Sequence, residues 1–163
     1  MWITILSTWN LYNVTLNINL QAGDYIVTAI NTVTGDKHAN NIKVLPLITE
    51  NENLVKYYRN ASQYTVRILD ENGNPVSAGE NVTFNINGVS YTRKTNDSGY
   101  AKLNINLIQG DYIITAEYNG CAVSNNITVL SKINTTDLSM KYHDGSKFQA
   151  KILDNQGNPI GAG

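Results

Sequence analysis

A chain of 163 residues with a formal net charge of −1 and only 15% charged residues has no electrostatic footprint for a nucleic acid. Its apolar stretches are too short to span a bilayer, and its single cysteine excludes a disulfide within the chain. With 24 asparagines against 13 Asp plus Glu, it stays hydrated through neutral amides and hydroxyls more than through charge.

In chain order, the opening MWITILSTWN has neither the basic start nor the long apolar core of a secretion signal. A leader, if the protein is exported, is therefore expected on sequence outside this segment. The next stretch, NVTLNINLQAGDYIVTA at 13–29, returns at 100–116 as YAKLNINLIQGDYIITA. NNIKVL at 40–45 returns as NNITVL at 125–130, and LVKYYRNA at 54–61 is answered by LSMKYHDGS at 138–146. DENGNPVSAG at 70–79 becomes DNQGNPIGAG at 154–163. The offsets run from 84 to 87 and slip only at loop tips, which defines a unit of about 85 residues. Residues 1–47 then form the C-terminal half of one repeat, 48–132 a complete repeat, and 133–163 the N-terminal part of a further one.

The complete copy alternates apolar and polar residues with period two and shows no helical periodicity. The pattern predicts seven strands, near 54–58, 63–69, 81–87, 88–94, 100–107, 112–118 and 122–130. Val82, Phe84 and Ile86 face inward on one of them, and Asn87-Gly88 supplies the two positive-φ positions of a tight hairpin. Leu103, Ile105, Tyr112, Ile114 and Ile68 complete the expected core. Seven short strands with turns at regular spacing predict an all-β, immunoglobulin-like antiparallel sandwich in tandem repeats, a single closed barrel being the alternative. Tyr112 and Tyr25 each open a strand two residues after a glycine. That is the placement of a tyrosine corner, whose hydroxyl bonds back to upstream backbone.

The motif order D-x-x-G-N-P-[VI]-x-A-G, then N-V-T-F-x-I-N-G-V-x-Y-T-R, then G-D-Y-x-I-T-A, resembles the Ig-like repeats of adhesin-like surface proteins of methanogenic archaea. It is more distantly similar to the bacterial Ig-like domains of invasin and intimin stalks. The resemblance covers nearly the whole chain. It implies a cell-surface, extracellular protein whose tandem sandwiches form a stalk or adhesion module presenting a binding tip, each repeat having its neighbours as partners.

For catalysis the residues supply little. His38 and His143 lie beside turns, Cys121 follows a hairpin tip, and neither a triad nor a phosphate loop is present; no enzyme and no cofactor is expected. DENGN at 70–74 and DNQGN at 154–158 offer oxygens to calcium but lack the distal bidentate glutamate, so they read as Asx-stabilised turns and no metal is expected. Lys56 with Asn125 or Asn126 has the chain order of an isopeptide crosslink, yet no inward acid accompanies it. Tyr57, Tyr58 and Tyr118 are expected to be exposed and are the candidate contact patch if the module binds a carbohydrate or a protein on another cell. Sequons at Asn13, Asn60, Asn81, Asn96, Asn126 and Asn134 fit a glycosylated surface. Finally, 133–163 carries the first two strands of a repeat and 1–47 the last three. Head-to-tail completion by the next chain, giving a surface filament, is the alternative to a segment flanked by further repeats.

Overall fold

The structure, a computed structural model, describes residues 15–161. All described secondary structure is strand, and the chain divides into two compact units, Met1–Leu47 and Ile48–Gly163. In the first unit β1 (Gly23–Ile30) pairs antiparallel with β2 (Lys37–Val44), joined by a turn in which the Asn31 side-chain oxygen accepts the amides of Val33 and Thr34.

The second unit contains the sandwich. Its strands are β3 (Ile48–Thr49), β4 (Leu54–Tyr57), β5 (Gln63–Ile68), β6 (Asn81–Ile86), β7 (Val89–Lys94), β8 (Tyr100–Asn104), β9 (Gly110–Tyr118) and β10 (Cys121–Leu130). They make a three-stranded sheet, β3-β5-β8, and a five-stranded sheet, β4-β10-β9-β6-β7. Inward residues alternate as the pleat requires: Tyr64, Val66 and Ile68 on β5, Ala101 and Leu103 on β8, Val82, Phe84 and Ile86 on β6, and Ile114 and Ala116 on β9 are all buried. Tyr64 ties the two sheets together. Its ring stands edge-on to Phe84, centroids 5.9 Å apart, and its hydroxyl donates to Asn125 Oδ1 at 2.7 Å. Of the expected core, only Tyr112 is merely half-buried, because it sits at the opening of its strand.

The seven expected strands are all present, with two differences. β3 precedes them: Ile48 is buried and pairs with Ile68 in one sheet before the chain crosses to the other. The crossing occurs at Glu50 (φ 52), and it makes β4 run parallel to β10, so the sandwich is not wholly antiparallel. A two-residue strand carries too little alternation to be seen in sequence. The other difference is that β8 ends at Asn104 instead of Leu107, and the Ile105 carbonyl accepts from the Lys56 ammonium at 3.0 Å.

The sequence repeat is also a repeat of geometry. Beyond the sandwich, β11 (Ile133–Thr135) pairs antiparallel with β12 (Ala150–Ile152) as β3 does with β5. Asp70 Oδ1 accepts the amides of Asn72 and Asn74, and Asp154 Oδ1 accepts those of Gln156 and Asn158. Tyr112 donates to the Ile108 carbonyl at 3.0 Å and Tyr25 to the Gln21 carbonyl at 2.8 Å, each four residues back. The Asn87-Gly88 turn has φ 52 and 75, the pair a tight hairpin demands.

The first copy departs from its counterpart in one respect. Residues 15–20 repeat part of β8 and were expected to be a strand, but they form none. β8 is held by β5, and no described residue of the first unit fills that place.

Candidate functional site

The candidate contact residues are dispersed by the fold. Tyr57 pairs with Leu130 and Tyr118 with Cys121, so they stand at opposite ends of β10, on the order of 30 Å apart at strand rise. Tyr118 is buried, 9% exposed, with its hydroxyl 3.4 Å from Glu80 Oε2, and burial raises its pKa. It is therefore no part of an exposed patch. Inward alternation from Ile114 and Ala116 puts it there. Tyr57 and Tyr58 are half-buried rather than exposed.

Those two tyrosines lie instead where the next repeat meets the sandwich. Gly157 (φ 87) rests against Tyr57, and a Cβ on it would come within 2.2 Å of Tyr57 Cε2. Asn60 Nδ2 donates to the Asn155 carbonyl at 2.8 Å, and Lys132 Nζ donates to Asn155 Oδ1 at 2.9 Å. The Leu153 amide donates to the Lys132 carbonyl at 2.8 Å, and its side chain is buried. Three hydrogen bonds and an aromatic face thus seat the Asp154–Pro159 turn. Asp154 keeps the turn rigid, and the amides it accepts, Asn158 foremost, hold its carboxyl below the usual aspartate range. Beside this joint, Tyr58, Ile108, Gln109, Ser131, Lys132 and Ile133 line a mostly apolar cavity of about 420 Å³, with the Arg59 guanidinium 5.3 Å from the Tyr58 ring centre.

On the outer face of the five-stranded sheet, a shallow depression of about 850 Å³ is bordered by Asn85, Asp111, Tyr112, Ile113, Asn126 and Thr128. Its polar groups already bond each other: Thr128 Oγ1 donates to Asp111 Oδ1 at 2.7 Å and Asn85 Nδ2 to Ser90 Oγ at 3.0 Å.

Of the sequons, Asn81, Asn96, Asn126 and Asn134 are exposed. Asn60 is half-buried with its amide nitrogen committed to Asn155, and Asn13 lies outside the described residues. His38 is on β2 and exposed, while His143 (φ 58) sits in a turn against Tyr142, ring centroids 4.0 Å apart. Among the described residues no three of His, Cys, Asp and Glu gather as a metal site would require. No described helix is long and apolar enough to cross a membrane.

Lys56 is the most unusual ionisable group. It is buried on the inner face of β4, its ammonium donates to the Ser62 and Ile105 carbonyls at 2.8 and 3.0 Å, and burial lowers its pKa. It pairs with Val129, four residues from Asn125 and roughly 13 Å along the strand. Asn125 is engaged elsewhere, with Tyr64 and Asn51, and Asn126 faces outward, so neither meets Lys56 for a crosslink. Two clusters carried no sequence signal: Glu50 with Arg67 (3.0 Å) and Tyr100 (2.7 Å), and Asn51 and Asn53 with Asn125 and Asn126. Both fasten the crossing between sheets. The buried lysine did have one, since Lys56 stands at an inward position of its strand.

No family model and no curated protein matches this chain. Among solved structures it is similar to a Bacteroides ovatus mixed-linkage glucan utilization locus protein, SGBP-B in complex with a heptasaccharide, at 17% identity and TM-score 0.31, covering 78% of this chain and 35% of that one. It is also similar to surface layer protein SbsC. Domains 4–9 match at 14% identity and TM-score 0.38, covering 86% and 25%, and domains 1–6 at 14% and 0.37, covering 86% and 20%. The chain therefore spans about a third or less of each, and at these TM-scores the likeness carries no weight for fold or function.

Proposed function

We propose that this chain is a spacer and adhesion segment of a cell-surface protein, in which tandem sandwiches form a stalk with no chemistry of their own. The observation that carries this reading is the seated Asp154–Pro159 turn. A stalk transmits position only if consecutive repeats pack on one another, and here the next copy is fixed to the last strand and an early loop of the complete one. The resemblance to Ig-like repeats of methanogen adhesin-like proteins supports the surface role, and the four exposed sequons are in keeping with a glycosylated exterior. Neighbouring repeats are then the partners of this segment.

A second reading, a carbohydrate-binding module, draws on the cavity beside Tyr58, where an aromatic face, an amide and a lysine converge as sugar recognition needs. A glycan array separates the two. The spacer reading expects a silent array and small-angle scattering of one fixed, elongated form of the second unit. Saturable glycan binding that disappears in Tyr58→Ala would replace it with the module.

A further inference from the structure

Residue by residue, 138–160 displays a core face without a core. At an offset of 84, Phe148 stands where Tyr64 stands and Ile152 where Ile68 stands. Arg59 and His143, at that same offset, share a left-handed backbone (φ 61 and 58), which confirms the equivalence in geometry. Tyr64 and Ile68 are 1% and 0% exposed, whereas Phe148 and Ile152 are 62% and 45% exposed. Leu138, Met140 and Ile160 are exposed alongside them. β12 is also half the length of β5, three residues against six, because β5 is propped by β8 and β12 has no such neighbour among the described residues.

The complete copy shows what covers this face: β8, β9 and β10. The same molecule carries a second version of those three segments at its other end. Residues 15–20 repeat β8, while β1 and β2 repeat β9 and β10, with Val27 in place of Ile114 and Ile42 and Val44 in place of Ile127 and Val129. Residues 15–20 have no ladder partner among the described residues, and Leu16 is exposed.

We propose that residues 15–44 of one molecule close over residues 138–160 of a second copy, so that β12 pairs with 15–17 in the β5–β8 register. Tyr64 faces Leu103 in the complete repeat, which places Phe148 opposite Leu16 of the second copy, and the parallel β4–β10 pair places Leu138 beside its Ile42. The contact is heterologous: each molecule keeps a free end, so association extends into chains or rings. The joined module lacks counterparts of β6 and β7, which bury Val82, Phe84 and Ile86, so the association is weak and concentration-dependent. It follows from the repeat alone and is independent of the spacer reading.

Sedimentation of the whole chain from micromolar to millimolar concentration tests it, with growth to ever larger species expected. Phe148→Asp blocks one end and Val27→Asp the other. Each alone is expected to stay monomeric, and an equimolar mixture to give a dimer that grows no further. Val27→Asp might simply unfold its hairpin, so the register is checked by a second route. In a Cys121→Ser background, Leu16→Cys and Phe148→Cys chains mixed under mild oxidation are expected to form a disulfide-linked heterodimer, since directly opposed strand residues are within disulfide reach. Wild-type protein that stays monomeric throughout, or single variants that grow as wild type does, overturns the proposal.

Discussion

Three residues show how single positions carry the argument. Gly73 and Gly157 are equivalent and both have left-handed backbone (φ 81 and 87), yet only Gly157 has a neighbour, Tyr57, within reach of a Cβ. Gly73→Ala should cost about 1 kcal/mol of backbone strain and nothing else. Gly157→Ala should leave the melting of the sandwich unchanged while releasing the seated turn, read as faster amide exchange at Leu153 and Asn158. Gly99 (φ 77) is different again, because a Cβ there would lie 2.6 Å from the Ile68 carbonyl. Gly99→Ala should destabilise the sandwich by on the order of 2–4 kcal/mol in denaturant unfolding.

Two buried groups set the response to alkali, with opposite signs. Lys56 has its pKa lowered from 10.5, so between that lowered value and 10.5 the unfolded chain binds more protons and stability rises with pH. Burial pushes the Tyr64 hydroxyl from 10.0 up to about 12, so above pH 10 the folded state holds the extra proton and stability falls. Two units correspond to on the order of 2–3 kcal/mol lost by pH 12. Melting temperature against pH should therefore climb and then drop, turning near pH 10. Lys56→Met should flatten the climb and Tyr64→Phe the drop; a profile unchanged in both variants would mean neither group is buried in solution.

At the scale of elements, the strands and turns were legible and the connections between sheets were not. Val82, Phe84 and Ile86 alternate with polar residues on one face, and Asn87-Gly88 can hardly be anything but a tight turn, so β6 and β7 are written locally. β3 is two residues long, and its membership of a sheet depends on Ile68, twenty residues away. The dispersal of the three tyrosines is of the same kind. Alternation within β9 was enough to warn that Tyr118 points inward, but the distance between Tyr118 and Tyr57 depends on which ends of β10 they meet. Hydrogen exchange should rank the elements accordingly: β5, β9 and β10 the slowest, β11 and β12, short and exposed, within about tenfold of free peptide rates.

At the scale of the molecule, one complete sandwich is flanked by partial copies of itself. The complete copy has a closed core drawn from both sheets, and thermal unfolding of the chain should show one cooperative transition belonging to it. The sequence by itself determined the repeat, its length, the strand pattern and the inward residues, because alternation, turn chemistry and self-similarity are local properties of the chain. Tertiary structure alone decided that β4 runs parallel to β10, that Lys56 is buried against carbonyls, and that the Asp154 turn sits on Tyr57 and Asn60. Those facts depend on contacts between residues far apart in sequence, whose meeting no local pattern encodes.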